Sequence, residues 1–382
     1  MPNTLTNLIP DAYAALDVVS RELVGFIPSV QRDPKTDRAA VGQTVRVGQT
    51  PANSAGFDAT PAMSLPAAAD QTIGNKTFTV TKSRAYPFSW TGEEQYAVDQ
   101  GPGFLTIQQD QIAQAIRSLL NEMETDVAVA AYKGASRAWG TAGTTPFASD
   151  LSDPANLKKI LDDNGAPESD RHLTINTTAG VKLRTLAQLT KANEAADATL
   201  LRQGKLLDLH NFAIRESAKV QNHTKGTGTS YQLNGAHAVG ATSLAVDTGS
   251  GTIVAGDVIT IANGTPADTN KYVVKTALSG GVVIINEPGL LSAHADNDAV
   301  TIGNNYAGNV AYCRNAILLG TRLRAIPPEG DLAIDREIIT DPLTGISLEL
   351  ATYPGFGMNT YIVAAVWGQS VIKPEHVALQ LG

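Results

Sequence analysis

Between Thr106 and Gly134 the apolar positions Ile112, Ile116, Leu119, Met123, Val127 and Ala130 recur at steps of four, three, four, four and three, the signature of one face of an α-helix. Thr106 and Gln109 stand at capping-box spacing at its start, and Gly134 offers a left-handed stop at its end. At ~1.5 Å per residue this is a rod of roughly 40 Å, where a usual helix has about 11 to 12 residues. Asp110, Arg117, Asn121, Glu122 and Glu124 fall off the apolar stripe. A long rod with one apolar face and no second rod of its length elsewhere suits a spine laid across a sheet better than a bundle. The stripe is not sustained beyond four heptads, which argues against a coiled coil.

Upstream of the spine, Tyr13, Leu16, Val19, Leu23 and Phe26 recur at helical spacing until Pro28 ends the pattern, which predicts a helical arm over Asp11 to Phe26. The stretch from Gln31 to Gln71 is poor in regular pattern and rich in Gly, Pro, Asn and Ala, with one short strand at Thr44 to Val47. Structureless loops longer than about 12–15 residues are uncommon inside compact domains, so this stretch is either disordered or an extended projection ordered against another molecule. Strand character resumes at Phe78 to Trp90, with Pro87 demoting its far end to an edge position. The two strands together predict a long hairpin.

Downstream, Pro154 suits the first turn of a helix ending near Asp163, with Gly165 just beyond it. His172 to Asn176 reads as a buried strand, Thr177 to Leu189 as a helix, and Lys205 to Val220 as a strand pair. From Thr224 to about Asn304 come five short β runs, at 243, 258, 272, 282 and 299, separated by turn signals such as Gly249 to Gly251, Asn263-Gly264 and Ser279 to Gly281. They predict a small barrel or sandwich. A helical pattern returns over Asn309 to Pro328, so the β block is read as an insertion into an α/β module. Strands at Glu337 to Thr340, Ser347 to Tyr353 and Thr360 to Trp367, with a turn at Asp341 to Gly345, complete the chain and can supply the sheet under the spine.

Composition adds constraints. The 382 residues suffice for two or three domains. Only 17% are charged, with 34 glycines, so small and neutral polar side chains must cover much of the surface, which suits contact. A net charge of −8 without any basic run argues against a reader of nucleic acid. The single Cys313 excludes an intrachain disulfide. With no basic-then-apolar leader and no stretch of 18 apolar residues, a soluble cytosolic chain is expected.

Chemistry is harder to find. The six histidines, at 172, 210, 223, 237, 294 and 376, include no pair at metal-ligand spacing. Neither G-x-S-x-G nor G-x-x-x-x-G-K-[ST] occurs. Cys313 shares a helical face with Val310 and Ile317 and reads as a core thiol. Glu93-Glu94 and Asp162-Asp163 read as solvated surface. No catalytic residue, cofactor or metal site is expected. Arg32, Asp33, Lys35, Asp37 and Arg38 form a mixed-sign cluster beside the extended stretch; a solvated loop is one reading, intersubunit ion pairs the other. Candidate intersubunit contacts are therefore Leu16, Val19, Leu23 and Phe26 on the arm, with Arg32, Asp33, Asp37 and Arg38.

Three segments, GAPESDRHLTIN at 165–176, NVAYCRNAILLGTRLRAIP at 309–327 and VWGQSVIKPEHVALQLG at 366–382, resemble the proline-acid-arginine-strand segment, the R-N-A helix and the tryptophan-glycine strand with Pro-Glu of the HK97-fold major capsid proteins of tailed phages. The order of parts over nearly the whole chain is most similar to coat proteins of short-tailed phages that carry an immunoglobulin-like or telokin-like insertion. The resemblance implies an α+β fold divided as 1–30 arm, 31–90 extended loop, 91–140 spine region, 141–222 and 306–335 axial domain, 223–305 inserted β domain and 336–382 returning strands. It implies a homo-oligomer of pentamers and hexamers in an icosahedral virion shell assembled in the host cytoplasm. The expected partners are a separate scaffolding protein, a portal, in some phages a decoration protein, and packaged double-stranded DNA bound without sequence specificity, with no membrane. Lys76 and Lys82 read as ordinary surface lysines, not cross-linking groups. A cargo-enclosing nanocompartment shell, a tail or adhesin module and a hydrolase with a β accessory domain are the competing readings.

Overall fold

The computed structural model describes residues 22–49, 73–98, 104–186, 189, 208–341 and 344–382. The spine helix is present as Phe104–Lys133. Its backbone is already helical at Phe104, so Thr106 lies inside the helix and not at its cap. A capping box does form one element earlier, at the short helix Gly92–Val98. There the Glu94 carboxylate accepts from Thr91 N at 2.9 Å, and Thr91 Oγ1 accepts from Glu94 N at 3.2 Å. Glu94 is therefore a capping group and not merely solvated surface. The buried stripe of the spine is two residues wide: Leu119 and Leu120, Met123 and Glu124, Val127 and Ala128, Ala131 and Tyr132 are all buried. Gly134 ends the helix for a reason other than a left-handed turn. It has no positive φ, and a Cβ there would sit 2.5 Å from Val371 Cγ2, so it is a point of close approach.

Beneath the spine lies a six-stranded sheet in the order Gln31–Ala39, Ile317–Arg324, Met358–Val371, Ser347–Gly355, Asp335–Thr340, with Lys82–Thr91 also paired to Met358–Val371. Gln31–Ala39 runs parallel to Ile317–Arg324; the other ladders of this sheet are antiparallel. Spine and sheet close one core, with Phe26, Leu119, Met123, Val127, Tyr312, Leu319, Val363 and Trp367 all fully or nearly fully buried. The polar face of the spine is fastened to the same sheet. Lys82 Nζ reaches Asp126 at 2.8 Å and Glu122 at 3.1 Å, Arg84 reaches Glu122 at 3.0 Å, and Trp367 Nε1 donates to Asp126 at 2.9 Å. Burial would raise the Glu122 carboxyl, but the Lys82 and Arg84 donors outweigh it and hold it below the usual range.

A second sheet of twelve strands runs without a break from the axial region into the inserted block. The expected runs become Ser243–Asp247, Val258–Ile261, Lys271–Ser279, Val282–Ile285 and Ala299–Ile302, and Tyr231–Leu233 joins them. Their antiparallel ladders form a closed ring of six, with Val258–Ile261 returning to pair with Lys271–Ser279. Of barrel and sandwich, the pairing gives a barrel. The barrel has its own core of Leu233, Leu244, Ile259, Tyr272, Val283 and Ile285.

The barrel is joined to the body by backbone pairing. Lys271–Ser279 pairs with Arg137–Trp139, which runs parallel to Val377–Leu381. Arg137, 3% exposed, donates to Asn270 of the barrel, to Asn164, and to the Ile160 carbonyl at the end of the helix Ser152–Asp163. Asn286 Nδ2 caps the spine from the barrel side, 2.8 Å from both the Lys133 and Ala135 carbonyls. The insertion therefore braces its own chain.

Several elements differ from the sequence expectation. Asn309 to Pro328 is not helical: Tyr306–Cys313 and Ile317–Arg324 are strands joined by a single 3-10 turn at Arg314–Ala316, which is what the R-N-A segment forms. Both strands are buried on both faces, so their apolar residues do not alternate and a continuous run mimics a buried helix. Cys313 is the last residue of a strand, not part of a helical face. The helix expected to reach Phe26 is absent from the described part of the arm: residues 22–25 are irregular and a turn follows. Gln31–Ala39, expected in the irregular loop, belongs to the main sheet. The helix expected over Thr177 to Leu189 ends at Thr185.

Candidate assembly surfaces

Of the expected contact residues, some remain outward and others turn into the core. The arm is fastened by two carboxylates. Glu22 takes a bidentate pair from Arg117 at 2.7 and 2.8 Å and a third donor from Asn121 at 2.6 Å, which holds its carboxyl far below the usual range, the Arg117 hydrogen bonds first among the causes. Glu124, fully buried on the spine, accepts from the backbone N–H of Gly25, Phe26 and Ile27 at 2.7, 2.8 and 2.9 Å and from Ser217 Oγ at 2.7 Å. Burial pushes this carboxyl up, with the four donors pulling against it.

Those three N–H groups point to Glu124 instead of along a helix axis, and this turns Phe26 inward. It is 0% exposed and stacked on Tyr312, ring centroids 6.0 Å apart. Phe26, expected on a shared surface, lies in its own core; Leu23 is 50% exposed. Leu16 and Val19 fall outside the described residues.

The mixed-sign cluster is largely paired within the chain. Because Gln31–Ala39 lies against Ile317–Arg324, Asp33 meets Arg322 at 2.6 Å, Arg32 donates to the Thr344 carbonyl, and Arg38 meets Glu349 at 2.7 Å. The nearly buried Glu349 also receives Arg336, which binds Asp331 as well. Asp37 is exposed.

Among the described residues the strands Thr44–Gln49 and Gly74–Thr79 pair only with each other, as a two-stranded hairpin outside both large sheets. Its seat is narrow. Phe78, 1% exposed, covers Gly320, where a Cβ would lie 2.2 Å from the ring. Thr79 crosses Gly368, where a Cβ would lie 2.2 Å from the Thr79 carbonyl oxygen. The Trp-Gly pair of the closing segment thus has two jobs: Trp367 holds the spine through Asp126 and Gly368 leaves room for the hairpin. Arg171 does similar work in the 165–176 segment, folding back to donate to the Ala166 and Pro167 carbonyls at 2.7 Å. Lys76 and Lys82 are not free surface lysines: Lys76 meets Glu287 at 2.9 Å, and Lys82 clamps the spine.

Several of the most outward apolar residues cluster at one end of the six-stranded sheet and are ones that the sequence pattern did not single out. Phe356 is fully exposed at the turn into Met358–Val371, Leu332 and Ile334 lie just before the edge strand Asp335–Thr340, and Ile338 lies within it. Tyr96, 76% exposed, sits on the short helix whose Gly92 N–H donates to the Gly357 carbonyl at 3.1 Å. One end of the six-stranded sheet therefore carries exposed aromatics beside an edge strand, the kind of surface another chain covers. A phenylalanine set between Gly355 and Gly357 was the available signal.

Reactive groups do not converge. His223 meets Asp257 at 2.8 Å, and His294 lies between Asp268 and Asp298, each at 3.2 Å from a different ring nitrogen. Among the described residues no group of three or more His, Cys, Asp or Glu is placed to hold a metal ion. Burial pushes the Cys313 thiol up, away from the reactive thiolate. A polar cleft of about 330 Å³ between Trp139 and Lys271 holds Thr144, Asp153 and Gln380; Asp153 is occupied by Phe147 N at 2.8 Å and Lys271 by the Gly140 carbonyl. No described helix is long and apolar enough to cross a membrane.

No protein-family model matches the chain, and no curated protein matches it. Among solved structures, a chain from Mycobacterium phage Che8 superposes with a TM-score of 0.52 at 14% identity, covering 99% of this chain and 98% of that one. A chain of the capsid of the cyanophage P-SCSP1u superposes with a TM-score of 0.52 at 11% identity, covering 97% and 91%. With the spine laid over a six-stranded sheet, a projecting hairpin and a barrel inserted between axial strands, the chain has the HK97-like fold of phage capsid proteins with an added β domain.

Proposed function

We propose that this chain is the major capsid protein of a tailed phage, and that its copies close into an icosahedral shell of pentamers and hexamers, first on a scaffolding protein and then around double-stranded DNA. The observation that carries this reading is the two-way coverage: a chain of a cyanophage capsid covers 97% of this protein and is itself 91% covered, which leaves little of this chain for another task. The hairpin and the exposed Phe356 end supply surface for neighbouring copies. A net charge of −8 without any basic run offers no sticky basic lining to DNA, while a Debye length of about 8 Å at physiological salt lets like-charged copies approach. The chain is assigned no reaction of its own. Its placement among short-tailed phages, and its division into arm, loop, spine, axial and inserted parts, rest on the sequence resemblance.

The test is co-expression with the scaffolding protein encoded beside it, followed by light scattering and electron microscopy. Closed shells of uniform size are expected. A chain that stays monomeric with its scaffold at every salt concentration tried overturns the proposal.

A further inference from the structure

Where the hairpin, the end of the spine and the barrel meet, an open notch of about 500 Å³ is lined by Lys76, Lys133, Lys275 and Asn286. Each lysine comes from a different element: the hairpin strand Gly74–Thr79, the last turn of the spine, and the barrel strand Lys271–Ser279. Their convergence is a product of the fold, since more than 50 residues separate each from the next. Lys76 is satisfied by Glu287 at 2.9 Å. Lys133 and Lys275 meet no carboxylate within 4 Å among the described residues, and Lys275 is exposed. The Lys133 ammonium lies over the Tyr132 ring, 5.9 Å from its centroid, and the Lys133 carbonyl is taken by Asn286.

We infer that this notch is an acceptor site for carboxylate side chains of a second copy of this chain, held by Lys133 and Lys275. Two observations choose this occupant. One lysine of the notch, Lys76, already pairs with a carboxylate, Glu287, which is the chemistry open to the other two. The chain carries 37 acidic against 29 basic side chains, so a neighbouring copy presents the required group in excess. The inference rests on the shell reading and adds an electrostatic seam at the junction of hairpin, spine and barrel.

The test uses shells assembled from a mixture of unlabelled and 15N-labelled protein, nuclease-treated and then coupled with a zero-length carbodiimide, which joins amines to carboxylates in contact. Mixed-isotope peptides joining Lys133 or Lys275 to an Asp or Glu are expected, and they should vanish in K133Q/K275Q, whose shells should also dissociate at several-fold lower salt while the melting temperature of the free subunit is unchanged. Wild-type shells in which Lys133 and Lys275 give only same-isotope links or none, or K133Q/K275Q shells with wild-type salt tolerance, overturn the inference. If protection of these lysines from acetylation disappears on nuclease treatment, the occupant is nucleic acid and the inference is likewise overturned. Absence of any wild-type shell would instead count against the shell reading itself.

Discussion

Residues 22–39 and the hairpin strands Thr44–Gln49 and Gly74–Thr79 follow one another along the chain, yet they are held in opposite ways. The first stretch is bound on every side: Glu22 and Glu124 fix its turn, and Gln31–Ala39 takes a parallel ladder along Ile317–Arg324. Among the described residues the second pairs only with itself, and it meets the body through Lys76 on Glu287 and through Phe78, Thr79 and Val80 at two glycines. What separates them is the supply of partners. A strand offered an open sheet edge becomes part of the body; one without an edge can be finished only by another molecule.

The comparison can be broken most directly at Glu124. Glu124→Ala leaves three backbone N–H groups buried without acceptors and should cost about 3–5 kcal/mol. Hydrogen exchange should then quicken over residues 24–30 while the hairpin ladder keeps its protection; unchanged exchange at 24–30 would show that the arm is held by packing alone. Gly368→Ala addresses the other half. Its Cβ meets backbone and not a flexible side chain, so roughly 1–3 kcal/mol is expected, with faster exchange confined to Thr44–Gln49 and Gly74–Thr79. Loss spread evenly over the six-stranded sheet would contradict the narrow seat.

Acid sharpens the contrast. The folded Glu22 carboxyl is lowered from its ordinary 4.5, so its contribution is fully present above that pH and is lost as pH falls from about 4.5 toward the depressed folded value. The arm should therefore loosen in that window, followed by exchange at residues 22–30, and Glu22→Gln should flatten the dependence. The smallest effect on the isolated chain belongs to Phe356→Ser. Full exposure predicts a stability change within about 0.5 kcal/mol, yet shell yield should fall if this end is covered by a neighbour; an unchanged yield would remove it from the assembly surfaces.

Parts of the site were legible in the chain because their signals are local. The Trp-Gly and Pro-Glu residues of the closing segment and Arg171 drew attention as motifs, and each proves to sit where elements cross or turn back. The arm's apolar spacing misled, since Phe26 follows a helical period yet is placed by a carboxylate 98 residues away. Phe356, Leu332 and Ile334 escaped notice because exposure is not periodic.

The sequence by itself determined the spine and five of the six barrel strands, since 3.6-residue and alternating patterns are written within single elements and close over short distances. Only the tertiary structure decided that Tyr306–Cys313 and Ile317–Arg324 are strands, that a polar stretch at 31–39 joins the main sheet, and that the barrel shares its ladder with the body. The reason is physical: a strand covered on both faces has no period to read, and an edge pairing such as Gln31 with Leu318 depends on a partner that only the folded chain brings near.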